Sequence, residues 1–253
     1  VGIAMQSMSF RALKYLLRDY EVPRGAADEL DAALADFDMQ AALKHALIGS
    51  RALGLQCFDM AYENPVTFMQ QSGSVPTGFE ALGTIGRVFG PMRKADTLTY
   101  LRYMRESISL AERPARVGRV KADALTQEIE SLQFWQAPLT RMLGPALFDR
   151  AGSKTDQAVA NITMCRLVLA LKAHRRDTGA YPASLKELQP TLGWTIPDDP
   201  FSGKPYVYRR QGDGFILYSL GTNEIDDGGM SEYEPQTGRW RGETSDIVWG
   251  CIR

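Results

Sequence analysis

Histidine is almost missing from this chain: among 253 residues only His45 and His174 occur, each within a stretch of helical pattern and without a patterned nucleophile beside it. That leaves little for acid–base or nucleophilic chemistry that depends on imidazole. Cysteine is scarce too. Cys57, Cys165 and Cys251 form no CxxC pair and have no histidine at ligand spacing, which argues against structural zinc. The odd count permits one disulfide and one free thiol, with Cys165 and Cys251 the pair to test. Three reduced, buried thiols are the alternative.

An excess of either charge is also lacking. With 29 basic and 30 acidic residues the net charge is -1, which argues against an electrostatic footprint for nucleic acid over the whole protein. No run approaches the roughly 18 apolar residues that span a bilayer. The first residues lack the basic-then-apolar pattern of a signal peptide. Because position 1 is Val1 and not an initiator Met, an upstream anchor or export signal is expected to precede this segment. There is no GxSxG, HExxH or P-loop, and Gly83-Thr84-Ile85-Gly86 lacks both a preceding strand pattern and the third glycine of a dinucleotide site. Carboxylates are plentiful, but no pattern selects a catalytic pair among them.

What is present is 44% hydrophobic residues over a length that favours two domains. Up to residue 150 the periodicity is helical. After Pro23, the residues Leu30, Leu34, Phe37, Ala41 and Ile48 predict one buried stripe; Leu98, Leu101 and Ile108 begin a second, and Ala122, Leu125, Ile129 and Leu132 make a third that runs towards Phe134 and Trp135. A Gly, Pro and Ser-rich connection joins the first two from Asn64 to Pro91, with a capping-box pattern at Thr77-Gly78-Phe79-Glu80. Acidic residues gather between Arg24 and Glu63 and basic ones between Arg87 and Lys121. Two readings fit: solvated faces of neighbouring helices, or a basic strip for an anionic polymer or lipid.

A seam is expected at Asp149–Ser153, where Ser153 and Asp156 make a capping box for a new helix. Val159, Ile162, Cys165 and Leu169 form its apolar face, widened by Leu167 and Leu171, and Gly179 followed by Pro182 ends it. Ser184 with Glu187 predicts a short helix over 185–188. Strands are expected at 204–211 and 215–220 about a Gly212-Asp213-Gly214 turn, with a third at 246–249. The fold class is therefore α+β, with a helical domain over 1–150 and, over 151–253, a long helix packed on a small antiparallel sheet.

The order of these pieces is more specific than any one of them. The helix carrying Ala158-Val159 and Ile162, its end Asp177-Thr178-Gly179-Ala180-Tyr181-Pro182, then Ser184–Leu188, Asp199–Tyr206, Tyr218–Gly221 and Asp246-Ile247-Val248-Trp249 follow one another over 157–249. In this order the segment resembles the globular part of type II secretion major pseudopilins and related type IV pilin-like proteins. It departs from them where their helix continues into a hydrophobic membrane-inserting half, because here Ala151-Gly152-Ser153 and the helical region stand in that place.

The resemblance implies a calcium ion in the loop after the second strand, held by the Leu220 carbonyl, Asn223, Asp226, Asp227 and Asp246. Asn223 stands where the family has a carboxylate, which removes one charge. The competing reading is that Asp226-Asp227-Gly228-Gly229 is only a turn of residues that tolerate left-handed backbone. The resemblance further implies a non-enzymatic bacterial envelope protein, periplasmic and membrane-anchored through a segment absent from this chain, whose partners are other envelope or secretion-system proteins and not nucleic acid. A hydrolase or other enzyme with its site in the helical region or an interdomain groove is the alternative from a different class.

Overall fold

The computed structural model describes residues 2–63, 90–113, 115–229 and 246–251, and the Asn64–Pro91 connection with its Thr77–Glu80 pattern lies almost wholly outside them. The architecture is α+β. The helices are α1 (Gly2–Asp19), α2 (Arg24–Ala35), α3 (Met39–Glu63), α4 (Gly90–Leu110), α5 (Ala115–Ser131) and α6 (Pro138–Thr178). A 3-10 turn at Leu185–Glu187 follows, then β1 (Val207–Gln211), β2 (Gly214–Ser219) and β3 (Ile247–Cys251). Two compact units result, one made of 1–39 with 153–253 and the other of 40–152. This differs from a single cut near residue 150, because the first two helices join the C-terminal unit.

In that unit the strands form an antiparallel meander in the order β1-β2-β3, with Tyr208 opposite Leu217 and Leu217 opposite Trp249. Gln211 pairs with Gly214 across the two-residue turn Gly212-Asp213, where Gly212 has φ 55. The sheet face and α6 share one core: Ala160, Met164, Cys165, Val168 and Leu171 lie with Phe215, Leu217 and Trp249. The Trp249 Nε1–H donates to Asn161 Oδ1 at 3.1 Å, fixing the ring against the helix.

The stripe expected on this helix is too narrow. Leu167, Val168, Leu169 and Leu171 are buried on successive sides, a helix enclosed all round. Its second cover is the N-terminal pair of helices, whose Leu17, Ala27 and Leu34 belong to the same core. Polar clamps hold them there. Arg166 makes a two-pronged contact with Asp31 at 2.7 and 3.2 Å while stacking over the Trp194 ring at 4.2 Å. Arg24 reaches Asp177 at 3.2 Å.

Two expectations at the ends of this helix come out differently. Gly179, at φ 85, supplies the left-handed stop and returns its N–H to the Arg175 carbonyl at 2.8 Å. The compact units do divide between Gly152 and Ser153, within the expected seam, but no new helix starts there, since α6 is helical without interruption from 138 to 178. A glycine inside a helix costs only about 1 kcal/mol relative to alanine, so Gly152 is no barrier, and Thr155 and Asp156 face the interior instead of capping a terminus.

The other unit packs α3, α4, α5 and the start of α6 around Phe58, Tyr62, Tyr100, Tyr103, Met104, Ile129 and Leu139. The third stripe faces this core as expected, with Ala122 and Ile129 buried and Leu125 and Leu132 half-buried against it. The first does not: the chain breaks between α2 and α3, so Phe37 is 57% exposed and Ile48 37%. The second is shifted, because α4 turns Asp96, Tyr100, Tyr103, Met104 and Ser107 inward and leaves Leu98 outside.

Asp96 explains that shift. α6 begins at Pro138 after Ala137, whose methyl side chain cannot cap a helix. Asp96 does so from α4, accepting the Leu139 and Thr140 amides at 2.9 and 3.1 Å, the Thr140 hydroxyl at 2.7 Å and the Tyr62 hydroxyl at 2.8 Å, with no exposure of its own.

Candidate cation-binding loop

The loop after β2 is organised by two buried aspartates. Asp199, 2% exposed, accepts from Phe201 N, Ser202 Oγ, Ser219 Oγ and Leu220 N at 2.7 to 3.3 Å, so both its oxygens are occupied. It ties the segment before β1 to the end of β2 at Leu220, the first residue of the expected ligand set. Nothing in the sequence pattern singled it out, although it opens the quoted Asp199–Tyr206 motif.

Asp246 is the other. Also 2% exposed, it accepts the Gly229 N–H on Oδ2 at 2.7 Å, while its buried Oδ1 has no hydrogen-bond partner among the described residues. Burial raises its pKa, the Gly229 and Asp227 amides oppose the rise, and the Asp227 and Asp226 carboxylates add to it. Asp227 and Asp226 are thus near enough to act on Asp246 electrostatically, and one oxygen of Asp246 lacks a donor among the described residues.

The remaining expected ligands are engaged. Asp226 accepts from the Tyr218 hydroxyl at 2.8 Å and from Gly228 N at 2.9 Å, bonds that lower its pKa. Burial and the neighbouring Asp226 push the Tyr218 phenol up to about 12. Asn223 donates to Asp227 Oδ2 at 3.1 Å and accepts Ile225 N at 3.2 Å. Among the described residues no group of three or more His, Cys, Asp or Glu side chains is arranged to hold a metal ion. The donor set is all oxygen, as a hard cation requires, and the open Asp246 Oδ1 fits that chemistry. Asn223 Oδ1 keeps a second lone pair beside its bond from the Ile225 amide.

Gly229 sits where the loop presses on the sheet. It has φ 79, and a Cβ there would meet Ile216 Cδ1 and the Tyr218 ring. Gly228, at φ 77, faces open space.

The other sequence candidates gain no such setting. His45 is exposed and His174 half-buried, and the described residues place no hydroxyl or thiol nucleophile in a hydrogen bond with either ring. Cys165 is a free, buried thiol and Cys57 is free and half-buried; the side chain of Cys251 lies outside those described. Of the basic strip, Arg93 pairs with Asp59 and Glu63, and Arg102 with Glu128, all between helices of one unit. No protein-family model, no curated protein and no solved structure matches this chain.

Proposed function

We propose that this chain is a non-enzymatic bacterial envelope protein of pseudopilin-like build, acting by protein–protein contact in a secretion- or pilus-like assembly outside the cytoplasm. The observation that carries the reading is the contrast between the two buried aspartates in the Asp199–Asp246 segment. Asp199 has four donors and is complete as it stands. Asp246 has an oxygen without one among the described residues, and the Asp227 and Asp226 charges act on it. A structural acid and a ligand acid differ in this way, and the pseudopilin resemblance implies calcium at the second.

In this reading Asp246, Asp226, Asp227, the Leu220 carbonyl and Asn223 hold a calcium ion, which neutralises the cluster and fixes the β2–β3 loop on the sheet. The helix and meander then act as a stiff platform that presents loops to partners. Fold alone does not fix such a role, so the test has two arms. Calcium at a hundred times its dissociation constant adds about 2.7 kcal/mol to a folded state that alone binds it. Melting temperature is expected to rise with calcium, to fall with chelator, and to be indifferent to both in Asp246→Ala. In the second arm, crosslinking in native bacterial membranes returns envelope proteins. No calcium response at millimolar concentration removes the metal; a cytoplasmic fractionation pattern without envelope partners removes the role.

A further inference from the structure

A cavity of about 570 Å³ opens where the chain leaving α1 crosses the last turns of α6, lined by Glu21, Val22, Pro23, Lys172, Arg175, Arg176 and Tyr181. All of these belong to one compact unit. Its size falls within the range of small-ligand sites. Its lining has three cations to one carboxylate.

Lys172 is the informative member. It is 6% exposed, and its ammonium donates to the Tyr20 carbonyl at 2.7 Å. The nearest carboxylate, Glu21, stands 4.0 Å away on a side chain that is 68% exposed. An ammonium has three donors, so one is well used, one is weakly opposed, and one is left to whatever fills the cavity. Arg175 is held in place beside it, its guanidinium 5.0 Å over the Tyr181 ring and one nitrogen 3.5 Å from the Tyr181 hydroxyl. Arg176 is exposed at the rim.

Helix polarity does not account for three cations here. A C-terminus carries about half a negative charge, and the carbonyls that would carry it are partly satisfied: His174 O by the Thr178 hydroxyl at 2.8 Å and Arg175 O by Gly179 N at 2.8 Å. Asp177, the acid closest in sequence, is paired outward with Arg24. Asp213 and Glu21 act on Arg175 only as distant charges, behind its contact with Tyr181.

We propose that this cavity binds a phosphate group. A point-charge ammonium at the base and two forked guanidiniums above it match the several oxygens of a tetrahedral phosphate anion better than a single planar carboxylate. The group can come from a free phosphate or from a phospholipid headgroup, and the experiment separates them.

The full chain is titrated with inorganic phosphate by calorimetry at ionic strength held constant with sodium chloride. In parallel it is floated with vesicles of phosphatidylglycerol or of phosphatidylcholine. Arg176→Glu is the principal variant, because the exposed side chain is the least involved in folding; Lys172→Met, accepted only if its circular dichroism matches the parent, is the second. Saturable phosphate binding that weakens about tenfold or more, roughly 1.4 kcal/mol, in Arg176→Glu with unchanged unliganded melting supports a free phosphate ligand. Flotation with phosphatidylglycerol alone, lost in the same variant, supports a headgroup. Binding of neither probe, or binding that both variants leave intact, overturns the proposal.

Discussion

Replacing Asp96 should loosen the start of the longest helix, and the cost follows from its four donors. In Asp96→Ala the Thr140 hydroxyl can turn to the Asp96 carbonyl, already 3.0 Å away. The Leu139 and Thr140 amides and the Tyr62 hydroxyl are left without an acceptor in a buried site. Each orphaned group costs about 1–3 kcal/mol. Relief from holding a desolvated carboxylate, whose pKa burial raises, returns part of this. The balance is a destabilisation of about 3–5 kcal/mol, the usual result of breaking one side of a buried charged contact.

Asp96→Asn should not rescue it fully. Oδ2 receives Leu139 N and Oδ1 receives Thr140 N, so an amide NH₂ at either position faces a backbone donor, and about 2 kcal/mol is lost. Tyr62→Phe removes one donor and leaves the cap, at about 1 kcal/mol. Urea unfolding followed by circular dichroism gives the order Ala, Asn, Phe. Hydrogen exchange read at the Leu139 and Thr140 amides gives the location. If Asp96→Ala lies within about 1 kcal/mol of the parent and those amides keep their protection, the capping argument is wrong.

Two further outcomes follow from the loop. Gly229→Ala combines left-handed strain with a collision against Ile216 and Tyr218, and should cost about 2–5 kcal/mol in a urea titration, against about 1 kcal/mol for Gly228→Ala, which meets open space. Equal costs would show that packing does not matter there. In chelator, Asp246 holds its proton more tightly folded than unfolded, because its pKa is raised. The parent should therefore gain stability relative to Asp246→Asn as pH falls from neutrality towards about 4 and lose it again as pH rises. A difference that is flat, or that grows in the opposite direction, would contradict the burial argument.

How far the sequence revealed this fold depended on whether polarity tracked position. The stop at Gly179 and Pro182, the Gly212-Asp213 turn and all three strands were readable, because glycine, proline and alternation act locally and signal the same thing in any context. The capping pair Ser153/Asp156 misled for the converse reason: inside a long helix Asp156 is buried, and no local rule distinguishes a cap from a buried polar position. On α4 the pattern failed because its inward face carries Asp96, Ser107 and two tyrosines, polar residues that read as solvent-facing although Asp96 and Tyr100 find their partners inside. Leu98 was read as core because it is apolar, although it is 58% exposed. In the candidate loop, sequence resemblance grouped Asp226, Asp227 and Asp246, and burial singled out the last. Asp199, which braces that loop, carries no sequence signal of its own, because an Asp-Asp run between two prolines looks like an ordinary turn.

The sulfur of Cys165 lies wholly inside, between the enclosed helix and the sheet, and burial pushes its thiol up to about 12. At neutral pH almost none of it is thiolate, the form that attacks other sulfurs. An unpaired cysteine therefore needs no reducing surroundings to persist here, since oxidants cannot reach it while the core stays shut. The same seclusion makes it a natural clock: its rate of alkylation in the intact protein counts how often the helix and the strands part company.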